Sequence, residues 1–214
     1  MQLLYLIILS FFLIVTLQLG IFSIVLTKLG LSPESAGLLF AATLIGSMIN
    51  LPLFSINSTS SSIPENYRVP RSWLNPFTVY NGKIIIALNV GGALIPICFS
   101  IYLISLHSIN YLQLIPAVGI VTAVSYFFSR PIEGFGIGMP IFVAPLTAAM
   151  AALIINPENI ASLAYICGTL GVLIGADLLR LKDIRHMAVP VASIGGAGTF
   201  DGIFFTGIIA VLLT

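Results

Sequence analysis

Residues 194–207 read IGGAGTFDGIFFTG, and the fold turns on whether that stretch is a helix throughout. It lies in the last apolar segment of a 214-residue chain that is 58% hydrophobic and 7% charged. A continuous helix from Met187 would carry Asp201 about 21 Å along its axis, at 1.5 Å per residue. Three of the four residues from Gly195 to Gly198 are glycine, and each disfavours a helix interior by roughly 1 kcal/mol. With Pro190 just upstream, the run predicts an extended or re-entrant segment. The last helix then begins near Thr199, with Thr199 as its N-cap and Asp201 in its first turn. Irregular backbone at membrane depth survives only when buried in protein or lining a wet cavity. The glycines therefore predict a cavity, with Asp201 facing it.

The composition excludes an ordinary soluble domain and points to an integral membrane protein. A spanning helix needs about 20 largely apolar residues. Seven stretches qualify, at roughly 2–27, 35–54, 84–106, 111–128, 138–155, 159–179 and 190–213. The expected fold class is thus all-α, with about seven transmembrane helices in one membrane domain over 1–214. The first segment has no basic n-region and no small-residue cleavage site before Lys28, so it reads as a retained helix. Ser32-Pro33-Glu34 and Asn156-Pro157-Glu158 each combine a capping side chain, a proline and an acid, and predict the starts of spans two and six.

Lys28 falls in the first loop, whereas Arg68, Arg71, Lys83, Arg130, Arg180, Lys182 and Arg185 fall in even-numbered loops. By the positive-inside rule those loops face the cytoplasm, as does the amino terminus, in a multi-pass protein of the cell membrane. Residues 55–83 form a cytoplasmic insertion, and Asn81-Gly82 between apolar flanks signals a hairpin with strands near Thr78–Tyr80 and Lys83–Ile86. A loose loop leading straight into span three is the alternative. Cys98 and Cys167 lie in predicted helices and suggest neither disulfide nor zinc site. No metal-ligand spacing is present, no cofactor is implied, and a net charge of +1 gives no cause to invoke nucleic acid.

Ionisable groups inside a bilayer are functional candidates, since each is disfavoured by about 2.5–3.5 kcal/mol at a helix centre. Asp177 in LIGADLLR and Asp201 in the opening stretch come from adjacent antiparallel segments joined by a basic turn, and so reach similar depth. Two carboxylates within about 3–5 Å do not both ionise easily. One stays protonated and the other charged, the division of labour that activates a water and protonates an amide. Asn89 in ALNVGGALIP, Glu133 in SRPIEGFGIG, and Gly195, Gly196 and Gly198 are candidates for substrate binding. The competing readings are structural: a helix-dipole acid at 201, an Asp177–Arg180 pair one turn apart, a helix-bridging Asn89 and surface charge pairing at Glu133; Gly91, Gly92, Gly168, Gly171, Gly175, Gly202 and Gly207 are assigned to close helix packing.

An aspartate near the end of one helix and another after a glycine-rich entry to the next resembles the GxGD intramembrane aspartyl proteases, the presenilin, signal peptide peptidase and prepilin peptidase group. The likeness covers about residues 170–205, where this chain has GAGTFD in place of an intact GxGD. It implies a hydrolase acting on a membrane-embedded peptide, with Asp177 and Asp201 as catalytic pair. The order NVGGALIP, IGADLL, GGAGTFDGIF is similar to an uncharacterised prokaryotic membrane family of unknown function, which implies a shared fold and no activity. An ion- or proton-coupled carrier using the same aspartates, and a non-catalytic membrane scaffold, remain alternatives. A homo-oligomer in the lipid bilayer is left open.

Overall fold

Ser32 starts the second helix as its sequence promises: the hydroxyl accepts from the Ser35 amide at 3.3 Å, Pro33 opens the first turn and Glu34 follows. The computed structural model describes residues 20–59, 82–132, 136–186, 189–196 and 202–214. Helices α1 (Gly20–Lys28) and α2 (Pro33–Ser47) meet at a bend of 114°. Strands β1 (Asn50–Asn57) and β2 (Lys83–Asn89) follow, then a π-helical turn (Val90–Leu94) running into α3 (Ile95–Leu106). Helix α4 (Tyr111–Phe128), the short strands β3 (Arg130–Ile132) and β4 (Gly136–Gly138), and α5 (Val143–Ile155) come next. Helix α6 (Ile160–Val172) continues into a second π-helical segment (Leu173–Leu178) and a 3-10 turn (Asp183–His186); β5 (Val191–Ile194) and α7 (Gly202–Leu212) complete the described chain.

Among the described residues the seven expected spanning helices are not found, and most of the first expected span, 2–27, lies outside those residues. Two helical runs, Tyr111–Phe128 and Ile160–Leu178, are long and apolar enough to cross a membrane, and a third span exists if the bent α1–α2 pair counts as one. That is compatible with a membrane protein. The overcount has a physical cause, because an apolar run does not by itself distinguish a buried strand from a helix. The stretch 35–54 divides at Ile49 into helix and strand, and 84–106 divides after Asn89, its β-branched Ile84, Ile85 and Ile86 being strand. The stretch 190–213 divides at Gly195 and Gly196, whose φ values of +82° and +92° lie in the left-handed region open to glycine. The opening stretch is therefore not one rod. Asn156-Pro157-Glu158 also departs from expectation: it forms a turn closed by the Asn159 amide on the Asn156 side chain at 3.2 Å, and α6 starts at Ile160.

The strands form two sheets, so the all-α expectation is corrected as well. Strand β2 is central, antiparallel to β1 (Asn50 opposite Asn89, Asn57 opposite Lys83) and parallel to β5 (Ile85 opposite Val191, Leu88 opposite Ile194). Both flanks of β2 are thus occupied; the strand expected at Lys83–Ile86 is present within β2, and its expected hairpin partner, Thr78–Tyr80, lies outside the described residues. The small second sheet pairs β3 with β4. The larger core unites α4, α5, α6 and α7 around Val121, Ala148, Leu163, Ile166, Cys167 and Ile208. A second cluster joins the main sheet to the helices through Ile84, Ile86, Ala93, Leu173, Ala176, Ile194 and Ile203. Gly171 and Gly175 let α6 lie against α4, since a Cβ at either would overlap Val121 or the Thr122 carbonyl.

Arg180 closes this arrangement from below α4. Its guanidinium sits 4.2 Å from the centre of the Tyr126 ring and donates to the carbonyls of Tyr126 (2.7 Å) and Ser129 (3.0 Å), at the C-terminal end of α4. Its ion pair is with Asp183 at 3.0 Å. A lysine keeps the charge but not the planar fork. Arg180→Lys is expected to lower stability by about 1–2 kcal/mol, the loss of one or two charge-assisted hydrogen bonds, read as a lower unfolding midpoint in detergent.

Candidate functional site

The polar junction of the molecule lies where the main sheet gives way to helices. Asn89 ends β2, is fully buried, and uses its whole amide: Oδ1 accepts from the Gly92 amide at 2.6 Å, and Nδ2 donates to the Ser47 carbonyl (2.7 Å) and to Asn50 Oδ1 (3.1 Å). It caps the π-helical turn that leads into α3 and ties β2 to the end of α2. Asn50 Oδ1 takes a second donor, the Ser193 hydroxyl of β5, at 2.5 Å. Three strands are thus linked by one chain of side-chain hydrogen bonds, as burial of polar groups away from water requires.

Glycines permit the crossing of backbones around this chain. A Cβ at Gly92 would overlap the Gly195 carbonyl, and one at Gly195 would lie 2.6 Å from the Ala93 side chain. Gly91 likewise meets the backbone of α2 at Thr43 and Ser47. The turn after β2 and the turn after β5 therefore rest directly on one another. Gly196 closes the second of these turns, its amide donating to the Ser193 carbonyl at 3.3 Å.

Asp177 reaches the same place from the opposite side. It is half-buried on the π-helical segment that ends α6, and its Oδ2 accepts from the Gly195 amide at 3.3 Å. π-Helical distortions break the regular ladder of backbone bonds and recur at functional sites. Here one such segment carries Asp177 and another directly follows Asn89. Of the residues expected at a site, the described chain brings Asp177, Asn89, Gly195 and Gly196 into one neighbourhood. Glu133, Gly198 and Asp201 lie outside the described residues. Ile203, two positions after Asp201, shares a buried cluster with Ala176, the neighbour of Asp177.

Sequence reasoning missed Asn50, Ser193 and the Ser47 carbonyl. Asn50 offered a signal, being an asparagine within an apolar stretch taken for a span, the same cue that singled out Asn89. Chemically, the junction offers a carboxylate beside an amide N–H on left-handed backbone, backed by a chain of side-chain amides and a hydroxyl.

Comparison with curated proteins and with solved structures finds no match. The family described as "Protein of unknown function (DUF1614)" matches residues 44–213, a range that runs from within α2 to the residue after α7 and takes in the whole polar junction. The chain belongs to that family.

Proposed function

We propose that the protein is a membrane-embedded hydrolase in which Asp177 and Asp201 divide acid and base work on a peptide held at membrane depth. The observation that carries this reading is the seat of Asp177, whose carboxylate meets the Gly195 amide at the break between β5 and α7. Asp201 follows that break by six residues, and Ile203 packs in one cluster with Ala176. In the proposed reaction the ionised carboxylate takes a proton from water as its oxygen bonds to the scissile carbonyl carbon. The protonated partner gives its proton to the carbonyl oxygen; the carboxyl that took the water proton then passes it to the amide nitrogen as the C–N bond breaks, and the partner carboxylate recovers its proton from a hydroxyl of the gem-diol. Strand β5 is an edge of its sheet, so an unwound substrate has a backbone to pair with there, beside Gly195, Gly196 and Gly198. Asn89 is proposed to support that edge through its cap on the turn after β2, and Glu133 is proposed as a further substrate-binding residue. The pole that carries Lys83, Arg130, Arg180, Lys182 and Arg185 is proposed to face the cytoplasm in a multi-pass cell-membrane protein with its amino terminus inside.

The test is peptide cleavage by purified protein in nanodiscs, using a set of model transmembrane peptides. Asp177→Asn and Asp201→Asn should each abolish turnover while leaving the unfolding midpoint within a few degrees of the parent. Retained cleavage in either variant overturns the pair.

One observation favours a second reading, an ion- or proton-coupled carrier. Asn89-Val-Gly-Gly and Ile194-Gly-Gly are irregular turns where two paired strands give way to helices, and they rest on one another; irregular backbone at helix ends is a device by which carriers bind coupling ions. A carrier should be stabilised by its ion, by the mass-action term RT ln(1 + [L]/Kd). That increment should vanish in Asp177→Asn, with no cleavage by the parent protein.

A further inference from the structure

We propose that the turn Lys182–Arg185, together with Lys83, binds the phosphate headgroup of an anionic phospholipid. The candidate span Tyr111–Phe128 is mostly exposed and ends on Phe127 and Phe128; Arg180 ties to this end the exposed Leu178 and Leu179 at the close of the other candidate span, and the exposed cations Lys182 and Arg185 follow Leu178 within seven residues. An apolar wall that passes directly into cations sets those cations at headgroup level. The turn is not loose. Arg180 anchors one side of it to Tyr126 and Ser129, and the Arg185 carbonyl accepts from the Thr59 amide at 3.0 Å and from the Ser58 and Thr59 hydroxyls at 3.1 Å. Thr59 also hydrogen-bonds His186 Nδ1 at 2.9 Å. The Ser58 amide in turn donates to the Gly82 carbonyl at 2.9 Å, which brings Lys83 to the same end of the sheet. Charge complementarity selects the occupant. Asp183, the acid within the turn, is engaged by Arg180, while Lys182, Arg185 and Lys83 project from a braced platform. Glu34 and Glu158 belong to the other pole, where Lys28 caps the Val211 carbonyl and Asn156 meets Gln113.

The inference needs only that the protein sits in a bilayer and does not depend on the aspartates, so its failure leaves the hydrolase reading standing. The experiment compares the unfolding midpoint in nanodiscs of phosphatidylcholine with that in nanodiscs containing phosphatidylglycerol. The parent should be stabilised by phosphatidylglycerol, and Lys182→Gln/Arg185→Gln should lose that increment, whereas Lys28→Gln at the opposite pole keeps it. Native mass spectrometry from mixed vesicles gives a second readout that does not depend on the stability of the variant. Each neutralised cation weakens headgroup binding by about 1 kcal/mol, so retention of phosphatidylglycerol over phosphatidylcholine should fall about thirtyfold in the double variant. An unchanged increment and unchanged lipid retention in the double variant overturn the proposal. So does reproduction of the full increment by inorganic phosphate in phosphatidylcholine discs, which would assign the cations to a soluble anion.

Discussion

Gly92→Ala is expected to lower the stability of the folded protein by more than about 3 kcal/mol, the range of substitutions that force backbones apart. The added methyl would overlap the carbonyl oxygen of Gly195, a backbone atom with no rotamer in which to escape. Gly195 cannot yield easily, since its own φ is +82° and its amide is held on Asp177. The turn after β2 would have to move away from the turn after β5, breaking the pairing of Leu88 with Ile194 or the Asn89 cap. At about 2–4 °C per kcal/mol for a chain of this size, the midpoint should fall by roughly 6–12 °C or more. Gly119→Ala is the matched control, because nothing lies within 4 Å of its Cβ position on α4. There the better helix propensity of alanine should leave the midpoint unchanged or raise it by the equivalent of up to about 1 kcal/mol. Equal effects at the two glycines would mean that the two turns do not touch.

Asn89→Asp should be nearly as damaging, although it changes one atom. The carboxylate keeps an acceptor for the Gly92 amide but loses both Nδ2 donors, and turns an oxygen toward the Ser47 carbonyl and Asn50 Oδ1. Buried with no exposure, it meets two acceptors and no cation, an arrangement worth about 3–5 kcal/mol of destabilisation. Asn50→Asp provides the contrast. Asn50 uses its Oδ1 as acceptor for both Asn89 and Ser193, and a carboxylate preserves both bonds. The midpoint should therefore fall much further for Asn89→Asp than for Asn50→Asp. The reverse order would mean that the amide of residue 89 is turned the other way and the cap does not exist.

How legible these features were in the sequence followed the range over which each is determined. The break at Gly195 and Gly196 could be read because the local preference of glycine decides it. The start of α2 could be read because Ser32, Pro33 and Glu34 act within one turn. The glycines Gly171 and Gly175 were rightly read as packing residues, because small side chains spaced four apart have one common use in membrane helices. The main sheet was beyond local reading: β1 meets β2 across an insertion, and β2 meets β5 across more than 100 residues. Apolar periodicity carries no information about such pairing, so Leu51 and Leu53 were assigned to a helix on hydropathy alone, and the strand read at Lys83–Ile86 was given a local hairpin partner rather than β1 and β5. Within the site, Asn89 stood out because it is a polar group in an apolar run. What it does there depends on Asn50 and Ser193, which only the folded sheet brings to it. Arg180 shows the same limit: one turn from Asp177 in sequence, it pairs instead with Asp183 and the end of α4.

The hydrolase proposed above requires the carboxylates of Asp177 and Asp201 to come together across the break in the chain. Thiol bridging in the membrane tests it most directly, with Asp177→Cys and Asp201→Cys combined in a background of Cys98→Ser and Cys167→Ala. A short bis-methanethiosulfonate reagent, which forms a mixed disulfide with each cysteine and releases sulfinate, should join the two positions rapidly and in high yield, as it should the facing strand pair Ala87→Cys with Ser193→Cys. Bridging of the strand pair with none between 177 and 201 would contradict the claim.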